Sequence, residues 1–153
     1  VTTKPTAVIV DVDGTLCDVT SVRHHVLTKP KNFDAFHTGS LSCPPHQQAL
    51  DYAKTAWIDG HAVLVVTGRM EQWRGHTLQW LTKHMPVPWE VLRMRPHGDY
   101  RKDTDVKREI HTDLTRTWDI VGAIDDNPAI VELWKSIGIP TVVMPGWDTE
   151  VHQ

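Results

Sequence analysis

Apolar and polar positions along this chain fall into blocks that predict strands and helices in turn. Ala7 to Asp11 is a run of apolar, mostly β-branched residues ending on a carboxylate, which predicts a buried strand. From Pro44 to Asp59, Ala49, Leu50, Ala53, Ala56 and Trp57 recur at helical spacing, with Pro44-Pro45 at the start and Gly60 just past the end. "AVLVV" at 62–66 predicts a second buried strand, and it ends in Thr67-Gly68-Arg69. A helix over about 71–84 places Trp73, Trp80 and Leu81 on one side, and a strand follows around "WEVLRM". After the charged loop "RPHGDYRKD", Val106, Ile110 and Leu114 form one stripe over 104–114, with Asp103 as N-cap. "DIVGAIDD" predicts another strand, and Asn127-Pro128 supplies an N-cap and a first-turn proline. Ile130, Val131, Trp134 and Ile137 are the buried stripe of that helix, Gly138 stops it, and "PTVVMP" is a last strand. The stretch 18–43 is too polar for a core element and reads as a flap and loop.

Strands alternating with helices predict an α/β fold with a doubly wound, mainly parallel sheet, in a single domain over 1–153. The connections are too short for a large cap domain; the flap at about 18–43 is the longest of them. Such sheets bind ligands at the carboxyl ends of their strands. That rule gathers Asp11 with Asp13, Thr67 with Arg69, and Asp125 with Asp126 into one site.

The acidic residues make a problem that chemistry must solve. In a period-2 strand Asp11 and Asp13 project to the same side, and like charges at about 4 Å cost roughly 4 kcal/mol at an effective dielectric near 20. Either a cation holds them together or one carries a proton. Clustered oxygen ligands suit magnesium, which also takes substrate phosphate as a ligand. Thr67 and Arg69 add a hydroxyl and a guanidinium suited to phosphate. One aspartate can then attack phosphorus, while the other, protonated, serves the leaving oxygen. No GxxxxGK[ST] or GxGxxG competes.

Composition narrows the setting. The net charge of −3 argues against a protein that coats nucleic acid generally, and the two cysteines, Cys17 and Cys43, suggest free thiols in a reducing compartment. With no long apolar run and no signal-like start, the expectation is a soluble cytoplasmic protein with no membrane contact. Tyr100 and the seven tryptophans could stack bases, although most tryptophans sit at helical core spacing.

"DVDGT" at 11–15, "TGR" at 67–69, a later lysine and "IDD" at 124–126 resemble the four motifs of the haloacid-dehalogenase-like phosphatases, over nearly the whole chain. The resemblance implies Asp11 as nucleophile, Asp13 as acid/base and Lys107 as the steadying lysine. It further implies magnesium held by Asp11, Asp13 through its backbone carbonyl, Asp125 and Asp126, with Asp126 preferred as the direct ligand of the last pair. "RPHGDYRKDTDVKREI" is more narrowly similar to the 3′-phosphatase domain of phage polynucleotide kinase-phosphatase, which implies Arg95, Asp103 and Lys107 at the site. Two positions depart from that pattern: Asn127 stands where an arginine is expected, and only Arg23 could answer the flap arginine. The resemblance implies a substrate-binding set of Thr67, Gly68, Arg69, Arg95 and Asp103; Arg101 and Lys102, beside the helix that presents Lys107, are expected near the strand backbone. The expected activity is magnesium-dependent removal of a 3′-phosphate from DNA or RNA ends through an aspartyl-phosphate, with a separate kinase or ligase as a possible partner. The alternatives are a small-nucleotide phosphatase and a non-catalytic end-recognition module.

Overall fold

The computed structural model, which describes residues 3–145, turns the apolar runs into β1 (Thr6–Val10), β2 (Ala62–Met70), β3 (Val91–Arg95), β4 (Asp119–Asp125) and β5 (Thr141–Val143). All pair in parallel, in the order β3-β2-β1-β4-β5. The helices are α1 (His24–Leu27), α2 (Phe33–Ser40), α3 (Gln47–Ile58), α4 (Arg74–His84), α5 (Asp103–Leu114) and α6 (Pro128–Ile137). The doubly wound α/β expectation is borne out.

Alternation along each buried strand divides the core. Val8, Val10, Val63 and Val65 pack under α3 and α4 with Leu50, Ala53, Trp80 and Leu81. Ala7, Ile9, Leu64 and Val66 face the other way, onto Val106 and Ile110 of α5 and Ile130 and Trp134 of α6. Strand order reverses at β1, whose neighbours are β2 and β4. Register pairs Val10 with both Val65 and Ile124, so Asp11 and Asp125 leave the sheet at the same level. The mouth between β1 and β4 is where an open sheet accepts a ligand.

The flap departs from expectation. It holds two short helices, and Val19, Val22, Val26 and Phe36 are buried in the α3/α4 side of the core. Its apolar residues are few and separated by polar ones, so no periodicity shows in the sequence, yet each reaches an existing core. Trp57 and Ile137, expected in buried stripes, are 48% and 38% exposed at the margins of their helices. The helix expected over 71–84 opens as a single 3-10 turn, Glu71–Trp73, and becomes α-helical at Arg74. Asp103 is the first residue of α5 rather than its N-cap, a position held by Lys102. Its carboxylate is committed elsewhere, to Arg95. Asn127 does cap α6, accepting from the Ala129 N–H, and Gly138 ends it with φ of 92°. Among the described residues no helix is long and apolar enough to cross a membrane.

Candidate active site

Asp11 follows β1 directly, and its carboxylate is held from two sides. Lys107 Nζ donates to Asp11 Oδ1 at 3.0 Å and to Asp125 Oδ2 at 2.9 Å, while Thr15 Oγ1 donates to Asp11 Oδ2 at 2.9 Å. Lys107 comes from the buried face of α5, next to Val106, so a basic residue is carried into the interior by an otherwise apolar stripe. Burial alone would lower its pKa, but the charges of Asp11 and Asp125 outweigh that and hold it well above the usual lysine range.

Asp13 has a different cation. Arg69, 3% exposed, donates Nε to Asp13 Oδ2 at 3.0 Å and Nη2 to Asp13 Oδ1 at 2.5 Å. Its remaining donors reach Thr77 Oγ1 on α4 and Ser40 Oγ on α2, both at 3.1 Å. One guanidinium thus ties the end of β2 to the β1 loop, the flap and α4. Burial would raise the Asp13 carboxyl, but the charge and hydrogen bonds of Arg69 prevail and hold it below the ordinary range. The repulsion anticipated between Asp11 and Asp13 is therefore resolved by two protein cations, one for each carboxylate.

The last acidic pair is less settled. Asp125 is fully engaged, taking the Asn127 N–H on Oδ1 at 2.9 Å and Lys107 on Oδ2. Asp126 accepts from Thr15 at 3.2 Å through Oδ1, but its buried Oδ2 has no partner among the described residues. Oxygen atoms of Asp11, Asp125 and Asp126 lie within 4.8 Å of one another. Burial and the neighbouring Asp11 carboxylate push both Asp125 and Asp126 above the usual carboxylate range. An orphaned oxygen in a cluster of carboxylates that cannot all hold charge fits a hard divalent cation such as magnesium. Gly14, at φ of 79°, lies against the Asp126 carboxylate so closely that a Cβ would collide with it. This explains the glycine of the DGT triplet by both conformation and space.

These groups line a cavity of about 60 Å³ with Thr67, Gly68, Asp103 and Asn127. Thr67 Oγ1 accepts the Arg69 N–H at 3.2 Å. Gly68 is pressed on Asp103, and its carbonyl accepts from Arg95 Nε at 2.9 Å. Arg95 also binds the carbonyls of Asp99 and Arg101 and pairs with Asp103 at 3.1 Å, so it braces the loop beside the site. Arg101 and Lys102 are exposed and outside this cavity; Arg101 pairs with Asp99 and Glu109, and Arg23 does not line the cavity either. Sequence reasoning missed Thr15, Ser40, Thr77 and His37. Thr15 was visible as the third residue of DGT; the other three carry no signal, since they arrive from helices remote in the chain.

The family model of the "polynucleotide kinase PNKP phosphatase domain" matches residues 5–146. The chain belongs to this family. It is accordingly a phosphatase domain of the haloacid-dehalogenase-like kind, and the resemblance carried by DVDGT, TGR and IDD is borne out. It is 26% identical over 139 residues, 90% of its length, to a protein of Autographa californica nuclear polyhedrosis virus named as a bifunctional polynucleotide kinase/RNA ligase. Among solved structures, a chain of a Pnkp1/Rnl/Hen1 complex is 26% identical with a TM-score of 0.80, over 96% of this chain and 48% of that one. The class C acid phosphatase of Bacillus anthracis with tungstate bound, 17% identical with a TM-score of 0.67 over 95% of this chain and 68% of that one, shares the fold. The chain spans 19% of the viral relative and just under half of the matched chain of the Pnkp1/Rnl/Hen1 complex.

Proposed function

We propose that this domain removes the phosphate from the 3′ end of a DNA or RNA strand, with magnesium, through an aspartyl-phosphate on Asp11. The observation that carries the reading is the placement of Asp11 at the mouth of the sheet, its carboxylate oriented by Lys107 and Thr15 and with carboxylate oxygens of Asp125 and Asp126 within 4.8 Å. An Asp11 oxygen bonds to phosphorus as the bond to the 3′ oxygen breaks, and water later attacks the same phosphorus to restore the carboxylate. Lys107 offsets charge on Asp11 and the phosphoryl oxygens. Asp126, with Asp11 and Asp125, would hold magnesium, which supplies neutralisation of the phosphate. Asp13 relays the proton of the phosphate monoanion to the departing oxygen and later takes one from the attacking water. The polynucleotide substrate is supported by the family and by the open architecture, since among the described residues the connection from β1 to α3 carries only the short helices α1 and α2 and no cap domain. The names of the relatives support a kinase and a ligase as working partners.

Phosphate release is to be compared for an oligonucleotide 3′-phosphate, the matching 5′-phosphate and a 3′-mononucleotide, with the first favoured. A mononucleotide turned over equally well would replace this reading with a small-nucleotide phosphatase. The pH profile follows from Arg69. With Asp13 held ionised, the leaving-group proton must arrive with the substrate as its monoanion. A phosphate ester loses that proton near pH 6, so kcat/KM should fall about tenfold per pH unit above it. A profile flat from pH 6 to 8 would contradict this.

Metal binding has its own pH signature. Carboxyls with raised folded-state pKa values stabilise the fold below their unfolded value, near pH 4, and that contribution is lost as pH rises toward the folded value. Magnesium must displace those protons. At about a hundredfold excess over Kd it should raise Tm by roughly 5–10 °C near pH 8, and by less near pH 5. Asp126→Asn should diminish the shift more than Asp125→Asn. Equal shifts at both pH values in a thermal melt would argue against this cluster as the metal site.

A further inference from the structure

The cavity at Asp11, at about 60 Å³, is well below the ~300–1,000 Å³ of small-molecule sites. A second depression of about 370 Å³ adjoins it, sharing His37 and Gly68. Its volume falls in the range of small-molecule sites, ~300–1,000 Å³. Three ring systems from separate elements line it: Phe33 of α2, Trp73 after β2, and Tyr100 of the 96–102 loop. Phe33 and Trp73 are half-buried and pack on the core, giving fixed faces, whereas Tyr100 is 86% exposed. Lys31 and Arg101 stand at its rim. At the junction, buried His37 leaves Nδ1 without a hydrogen-bond partner among the described residues. Burial lowers its pKa to about 4, so at neutral pH it adds no charge beside Asp13 and can exchange a hydrogen bond with an incoming polar atom.

We propose that this groove is the subsite for the terminal nucleoside, whose base stacks on Tyr100, Trp73 and Phe33 while its phosphate occupies the Asp11 cavity. This rests on the 3′-phosphatase reading and deepens it. The groove adjoins the cavity at His37 and Gly68, so a flat group carried on the same molecule as the phosphate reaches these aromatic faces. Aromatic faces accept any base, so the subsite gives little preference among the four. It also favours an unpaired terminus, because a terminal base pair leaves only one outer face free, whereas a groove lined by rings from three elements is entered by a base released from its partner strand.

The test uses a single-stranded hexanucleotide 3′-phosphate, the same strand with an abasic terminal residue, and glycerol 2-phosphate. In the wild-type protein the abasic strand should lose about tenfold in kcat/KM, a stacking-sized effect. Tyr100→Ala should lower kcat/KM for the intact strand several-fold and leave the abasic strand and glycerol 2-phosphate within about twofold of the wild-type values. A terminal 2-aminopurine should be quenched on binding, and less so in Tyr100→Ala. The proposal is overturned if base removal has no effect, or if Tyr100→Ala lowers the intact and abasic strands equally. A different result, a wild-type protein that prefers glycerol 2-phosphate to either 3′-phosphate strand, would overturn the underlying reading and the subsite with it.

Discussion

Asp11→Asn is expected to reduce phosphate release at least about a thousandfold, a barrier increase of ~4 kcal/mol, while the protein stays folded. The amide keeps the shape of the carboxylate, its one oxygen can still accept from Lys107 and its NH2 can donate to Thr15 Oγ1, but it is a poor nucleophile. The fold should tolerate the change because Asp11 adds negative charge to a site where Asp125 and Asp126 already resist ionisation. Removing it relieves them. Turnover in magnesium and a melt in chelator together decide the outcome. Activity within about tenfold of wild type would exclude Asp11 as nucleophile, and a large fall in Tm would mean that the loss reports unfolding.

Arg69→Met should be the most destabilising single change near the site. The methionine fills comparable space, but Asp13, whose side chain is only 21% exposed, loses its counter-charge, and Ser40 and Thr77 lose a donor. Breaking a buried pair from one side typically costs about 3–5 kcal/mol, which for a domain of this size is roughly a 10 °C fall in Tm. The sign of the pH dependence follows from the lowered Asp13 pKa. Its contribution is present above the unfolded aspartate value, near pH 4, and is lost as pH falls through the folded value. The gap between wild type and variant should therefore narrow in acid. Adding Asp13→Asn should recover much of the loss, since no uncompensated charge remains. A single variant melting within about 2 °C of wild type would show that the pair contributes little.

Arg69 also illustrates how far the chain can be read before it folds. The apolar runs at 7–10 and 62–66 announce buried parallel strands, and each ends in a motif of polar residues, so the sheet and its active edge were legible together. The helix stripes were legible for the same reason, with errors where a residue lies at the edge of a stripe, as Trp57 and Ile137 do. Glycines at 14 and 68 could be noted, but not their cause, which is the approach of Asp126 from the end of β4 and of Asp103 from the start of α5.

By itself, then, the sequence determined the α/β class, the strand ends that carry chemistry, and the family. These depend on local period and on short contiguous motifs, which need no knowledge of neighbours. The tertiary structure decided which cation meets which carboxylate: Lys107 with Asp11, 96 residues apart, and Arg69 with Asp13, 56 apart. It also turned Arg95 inward as a brace, folded the flap onto the core, and brought His37 to the edge of the phosphate cavity. Such pairings follow from strand order and register, which bring distant chain segments to one level of one sheet. Charge pairing across that edge is set by distances of a few ångströms, and no one-dimensional pattern encodes them.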